Sequence, residues 1–190
     1  MRLIHIWLFP ALWGVWLVFW SIAAFGAKPV RRRESVASRL SHFIPLGIGI
    51  LLLSDPYFTA SILPGRFLPR TAMAFWIGAA IMVTGMLFCI SARLYLGGNW
   101  SGSVTLKQDH TLTREGPYRY VRHPIYFGIL LAVLGNAIAM GEWRALVALA
   151  LFAGAFLRKI QLEERFMLEQ FGDAYARYRR EVTSLIPGLV

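Results

Sequence analysis

Apolar and polar residues fall along this chain in blocks the length of a membrane crossing. Leu3 to Ala27 contains no Asp, Glu, Lys or Arg, and at about 25 residues it exceeds the ~20 needed to span the hydrocarbon core. It is too long for a signal-peptide core and lacks a small-residue cleavage site before Lys28, so a retained first helix is expected. A basic cluster (Lys28, Arg31, Arg32, Arg33, Arg39) follows, then a second apolar run from about Ser41 to Leu63 that Ser54-Asp55-Pro56 interrupts. Proline breaks the backbone ladder and a carboxylate is costly in lipid, so the second span is expected to end or kink there. Pro64-Gly65 and Pro69 mark a turn, and the third run, Thr71 to Leu96, stops at Gly97-Gly98. Residues 97–123 form the longest hydrophilic loop. Pro124 to Met140 and Trp143 to Leu162, separated by Gly141-Glu142, predict a helical hairpin across the membrane, and Glu163 to Arg180 is charged and helix-prone.

Composition agrees with that pattern. Apolar residues make up 57% of the 190 and charged residues only 16%, against ~45–50% and ~25% in soluble domains. The expected fold is an all-α integral membrane protein with about five transmembrane helices. It forms one membrane domain, residues 1–190: residues 1–96 supply the first three spans, and residues 97–190 the loop, the hairpin and a C-terminal helix. Sixteen of the twenty basic residues lie in segments 28–39 and 93–122 and in the tail from Arg158, leaving Arg2, Arg66, Arg70 and Arg144 opposite. The positive-inside rule then puts the N-terminus outside and the loop and tail together on the cytoplasmic face, as a cap. The net charge of +10 is accounted for by these loops and anionic lipid headgroups and calls for no nucleic acid. A single cysteine, Cys89, excludes an internal disulfide and thiolate metal sites. Gly128 and Gly135 would allow close packing within the hairpin, but their spacing of seven does not support a dimer interface.

Several chemistries are absent. There is no GxGxxG, no phosphate-binding GxxxxGK[ST], no GxSxG elbow and no HExxH or paired-cysteine metal pattern. Ionisable residues within the spans are few: His5 near one end, His42 at an expected interface, Asp55 at the break. His5 and His42 are expected to be interfacial rather than functional.

The cytoplasmic loop, by contrast, is dense in rings: Trp100, His110, Tyr118, Tyr120, His123 and Tyr126, with Arg114, Arg119 and Arg122 among them. On composition alone this is an interfacial belt. Spacing adds to it. Arg122-His123-Pro124-Ile125-Tyr126 stands where the chain re-enters the bilayer, Pro124 suits a first helical turn, and free N–H groups there favour an anion. Lys159 and Glu163 are four apart, with Glu164 adjacent, so the fifth helix leaves the membrane carrying an ammonium and a carboxylate.

From about Leu94 onward the chain resembles the isoprenylcysteine carboxyl methyltransferases and, more distantly, the membrane phospholipid N-methyltransferases. The resemblance runs through Gly98-Asn99-Trp100-Ser101, His110-Thr111-Leu112, Glu115-Gly116-Pro117-Tyr118, Arg122-His123-Pro124-Ile125-Tyr126, Glu163-Glu164 and Phe171-Gly172-Asp173-Ala174-Tyr175. The first 90 residues match in hydropathy only. The resemblance implies an S-adenosylmethionine-dependent enzyme whose cofactor pocket falls on His110, Thr111, Leu112, Thr113, Tyr118, His123, Pro124, Ile125, Tyr126 and Glu163. It places a substrate-contacting basic residue, commonly Arg, on Lys159, where a point donor replaces a bidentate fork; Thr113 likewise replaces an apolar residue.

These residue types suit that cofactor. Tyr118, Tyr126 and the Glu163 carboxylate can face a sulfonium, while Arg122 or helix-start N–H groups take its carboxylate. The implied acceptor is a lipidic or prenylated substrate entering from the bilayer, with O-methylation of a carboxylate preferred because such a group needs no base; an amine acceptor would call on His123 or a nearby Tyr. Three alternatives stand beside this reading: a phospholipid or amine N-methyltransferase; an NADPH-dependent reductase like the membrane sterol reductases, which share a similar Arg-His-Pro-x-Tyr region but have a larger core; and a non-catalytic membrane scaffold.

Overall fold

The computed structural model describes residues 2–26, 28, 30–54, 63–100, 105–107 and 111–188. Asp55 and His110 lie outside the described residues, as does the side chain of His5. The helices are α1 (Arg2–Ala24), α2 (Val36–Ser54), α3 (Ala72–Leu96), α4 (Pro124–Met140), α5 (Trp143–Phe171) and α6 (Asp173–Glu181). A short antiparallel ribbon pairs β1 (Val30–Arg33) with β2 (Thr105–Lys107), and single 3₁₀ turns cover Gly97–Asn99 and Gly116–Arg119.

Sequence chemistry accounts for most of these boundaries. α2 is described as far as Ser54, and the expected break at Asp55-Pro56 lies outside the described residues. α3 starts where the Thr71 hydroxyl accepts from the Ala74 N–H at 3.1 Å, an N-cap interaction. α4 begins on Pro124 and ends at Gly141, which takes the left-handed conformation of a helix C-cap (φ 63°) before α5 turns back. Among the described residues four helices, α1, α2, α3 and α5, are long and apolar enough to cross a membrane. α4, at 17 residues, is about 25 Å long, the short end of the spanning range.

The fold departs from the sequence-based expectations at several points. The helix-prone segment Glu163 to Arg180 is not one separate C-terminal helix: α5 runs unbroken through Glu163 to Phe171, because its charged half keeps a buried stripe through Lys159, Ile160, Glu164 and Phe166 with no breaker before Gly172. At Gly172 the backbone turns (φ 49°) and α6 starts. The ribbon was not expected, because its strands are two short polar segments far apart in sequence, without local periodicity. His42 is not interfacial: it is 1% exposed and sits beside buried Glu34, Nε2 to Oε1 3.5 Å.

Gly128 and Gly135, finally, pack against α3 rather than within the hairpin. A Cβ on Gly135 would lie 2.4 Å from the Gly78 carbonyl oxygen, and one on Gly128 would lie 2.7 Å from that of Gly85. Gly78 and Gly85 face them reciprocally, at 2.4 and 2.5 Å from the Gly135 and Gly128 oxygens. Two small-residue stripes of period seven thus bring the α3 and α4 backbones together, as small residues do between membrane helices.

α1 is held differently. None of its described side chains is buried. Its end is tied by the buried Arg93 guanidinium, which donates to the Ala23 carbonyl and to the Gly97 carbonyl (2.7 Å) and lies 4.9 Å over the Trp100 ring. The tail closes the same end: Tyr175 and Tyr178 are 2% exposed, the Tyr178 hydroxyl donates to the Tyr118 carbonyl at 2.5 Å, and the Arg122 and His123 N–H groups donate to the Thr183 and Ser184 carbonyls.

Candidate active site

The polar end of the bundle gathers the ionisable side chains into one buried cluster. It forms because α4 starts and α5 leaves the apolar layer side by side, so the first turn of α4 faces Glu163 and Glu164. The Tyr126 hydroxyl donates to Glu163 Oε1 at 2.5 Å, and the His123 ring stands between the two carboxylates, Nδ1 3.5 Å from Glu163 Oε2 and Nε2 3.4 Å from Glu164 Oε1. Burial works against charge on His123, but its hydrogen bonds to Glu163 and then to Glu164 prevail and raise its pKa above the ordinary value. The ring stacks on Tyr126 at 5.8 Å, and Tyr126 stacks on Phe156 at 4.7 Å. The Lys159 ammonium lies 5.3 Å from the Tyr126 ring centre, a cation–π placement, in a side chain that is 7% exposed.

Arg122 differs from expectation. Its guanidinium donates to Glu164 Oε1 from Nε (2.9 Å) and Nη2 (2.6 Å), and to the Arg179 (3.1 Å) and Val182 carbonyls. Rather than presenting a free fork to a cofactor carboxylate, it braces α5 against the tail. By helix geometry, the Ile125 and Tyr126 N–H groups have no partner within α4 and remain as anion donors.

The cluster caps a cavity of about 1060 Å³ that runs through the apolar layer between α1, α2, α4 and α5. Tyr118, Arg122, His123, Pro124, Ile125, Tyr126, Lys159 and Glu163 all line it. Thr111 reaches it indirectly, through its hydroxyl and carbonyl, which accept from Asn99 Nδ2 at 2.9 and 3.2 Å; Asn99 is itself a lining residue. Leu112 and Thr113 are not among the lining residues. Burial pushes the Tyr118 phenol well above its ordinary pKa and that of Tyr178 up to about 12, so both remain neutral donors at physiological pH.

Several lining residues carried no signal in the sequence analysis. One wall is a row of indoles on α1: Trp13 meets Trp16 at 5.6 Å, Trp16 stacks on Trp20 at 4.9 Å, and Trp20 meets Trp100 at 5.6 Å. Their spacing of three and four residues was the available signal, hidden within a helix apolar on every side. Asn136, the one polar residue in α4 below its first turn, lines the cavity too. The described residues hold no His, Cys, Asp and Glu grouping able to bind a metal ion.

A helical membrane bundle with an acidic, aromatic cluster above an apolar cavity is the class that fold and site define. Residues 73–174, more than half of the chain, match the phospholipid methyltransferase family, and the chain belongs to that family. It is similar to protein-S-isoprenylcysteine O-methyltransferase of Schizosaccharomyces pombe, 36% identical over 100 residues, covering 51% of this chain and 42% of that protein. The enzyme of the same name from Dictyostelium discoideum is 29% identical over 123 residues, covering 63% and 52%. Methanethiol S-methyltransferase of Mycobacterium tuberculosis is 35% identical over 123 residues, covering 60% and 46%. The chain thus spans about half the length of the curated relatives it matches. Among solved structures, the eukaryotic intramembrane isoprenylcysteine carboxyl methyltransferase superposes with a TM-score of 0.56 at 23% identity, over 80% of this chain and 52% of that one, a likeness of fold.

Proposed function

We propose that this chain is an S-adenosylmethionine-dependent membrane methyltransferase that O-methylates a carboxylate on a lipid-attached acceptor, of which an isoprenylcysteine is the preferred case. The observation that carries the reading is the Tyr126–Glu163–His123 cluster, with the Lys159 ammonium over Tyr126, at the polar end of an apolar cavity. Family membership supplies the methyl-transfer chemistry, and the curated relatives named for isoprenylcysteine supply the acceptor class.

The side chains present fit such a donor. Glu163 offers a carboxylate and shares the cavity lining with the Tyr118 and Trp100 rings, which suits a cationic ligand that carries an aromatic base. When bound, the donor supplies an electrophilic methyl group on a sulfonium. The Ile125 and Tyr126 N–H groups and Glu163 would hold its charged ends. Lys159 orients the acceptor carboxylate as a point charge, and the tail, closed by Arg122 and Tyr178, keeps water from the polar end.

His123 bears on the choice of acceptor. Its Nδ1 faces Glu163 and its Nε2 faces Glu164, so neither ring nitrogen is turned toward an acceptor in the cavity to take its proton. That favours an acceptor already ionised, as a carboxylate is, over an amine or a thiol, each of which must lose a proton. The thiol reading has one observation in its favour, the methanethiol S-methyltransferase relative. By the charge asymmetry of the loops, the polar end faces the cytoplasm.

The test is transfer of a labelled methyl group by the detergent-purified protein to N-acetyl-S-farnesylcysteine, to its carboxamide, to phosphatidylethanolamine and to methanethiol. The reading expects base-labile label on the farnesylcysteine acid alone. Label on the phospholipid or on methanethiol instead would replace it.

A further inference from the structure

Asn136 is a carboxamide in the lower half of α4, a helix otherwise apolar below its first turn, and it is 5% exposed. A buried carboxamide within an apolar membrane helix is costly unless its hydrogen bonds are made. Its Oδ1 accepts from the Trp13 indole N–H at 3.1 Å, joining α1 to α4 across the cavity wall, and its Nδ2 lies 3.0 Å from the Met140 sulfur. All three residues line the cavity, which continues past them toward Arg144 and Ser54 at the far end.

The position of this bond along the helix sets a length. Tyr126 and Asn136 are ten residues apart on α4, which is about 15 Å at the helical rise. Between those levels the cavity lining includes the α1 tryptophans Trp13, Trp16 and Trp20 and the phenylalanines Phe152 and Phe156 of α5. An extended chain hanging from a head group at the Tyr126 level meets its first polar obstruction after roughly a dozen carbons.

We infer that the Trp13–Asn136 hydrogen bond is a depth stop that sets the chain length of the acceptor. The inference rests on the reading that the acceptor's tail lies in this cavity. Chains whose extended backbone ends above the bond are seated. Longer ones run past it toward Arg144 and Ser54, set apolar carbon against the paired carboxamide and indole N–H or part them, and are discriminated against for that reason.

The test measures kcat/KM for the S-geranyl, S-farnesyl and S-geranylgeranyl forms of N-acetylcysteine in wild type, Trp13→Phe and Asn136→Ala. Trp13→Phe removes the indole donor and keeps a ring; Asn136→Ala removes the acceptor and opens space. Folding of each variant is read from protection of Cys89, the single cysteine, which is 0% exposed. Wild type is expected to prefer farnesyl to geranylgeranyl, and both variants to raise the geranylgeranyl-to-farnesyl ratio by about tenfold or more. Folded variants that keep the wild-type ratio overturn the depth stop while leaving the methyltransferase reading in place. A wild type that methylates none of the series overturns that reading, and the depth stop with it.

Discussion

Substituting Gly135 with alanine separates two opposed physical effects, and the sign of the result tells which one operates. In an exposed helix, Gly→Ala gains about 1 kcal/mol from backbone entropy. At Gly135 the new Cβ would stand 2.4 Å from the Gly78 oxygen and 2.5 Å from the Met82 nitrogen, where ordinary contact begins at 3.4 Å. Both neighbours are backbone, so no side chain can yield, and α3 and α4 must part by about 1 Å at that level. Overpacking of this kind costs about 1–3 kcal/mol, and the rigid neighbours place Gly135 in the upper part of that range. The net loss of about 1–2 kcal/mol lowers the thermal midpoint by roughly 2–8 °C for a chain of this size. Gly154→Ala is the control: nothing lies within 4 Å of its Cβ, so the propensity gain stands alone and the midpoint is expected to rise by about 2–4 °C. A thiol-reactive fluorophore reads both in detergent, because the single cysteine, Cys89, is wholly buried until the bundle opens. Gly135→Ala as stable as Gly154→Ala would refute the close helix approach.

Three more expectations follow from the polar end. Lys159→Ala should raise KM for a carboxylate acceptor at least tenfold, with Lys159→Arg recovering most of it; equal loss on a neutral carboxamide analogue would count against a charge role. Burial opposes charge on His123, but its bonds to Glu163 and Glu164 raise its pKa above 6.5, so the stabilisation is complete below about pH 6.5 and lost as pH rises through the higher folded-state value. The tryptophan-fluorescence melting midpoint should therefore fall across that window in wild type and flatten in His123→Gln; identical slopes would exclude the coupling. Arg122→Ala should cost toward the lower end of about 3–5 kcal/mol, since Arg179 still reaches Glu164 at 3.3 Å. It should also expose the chain after Gly172 to protease, and a protected tail would show that the brace is dispensable.

The two ends of α4 were legible because their signals are local: Pro124 at the start, Gly141 at the stop, a continuous apolar run between. The same holds for the start of α3 at Thr71. What could not be read were partnerships across the chain. Lys159 and Glu163 suggested an i, i+4 pair, but only the packing of α4 on α5 reveals that Glu163 meets Tyr126 and His123. Arg122 suggested an anion fork, and only the returning tail shows what occupies it. His42 looked interfacial because Glu34, its partner, sits in a basic loop with no periodicity. The glycine stripe was visible on α4, yet its match on α3 needed the antiparallel register. The cavity itself has no linear signature, since its wall of indoles lies in a helix apolar all round.

The central claim is that the cluster around Glu163 forms the pocket for the methyl donor, and calorimetric titration with S-adenosylhomocysteine tests it most directly. Wild type in detergent is expected to bind at micromolar affinity. Glu163→Ala should lose binding while keeping Cys89 protected, Tyr126→Phe should weaken it, and NADPH as a parallel ligand should give no heat. A folded wild type that binds NADPH instead, or a Glu163→Ala variant that binds S-adenosylhomocysteine as wild type does, would contradict the account.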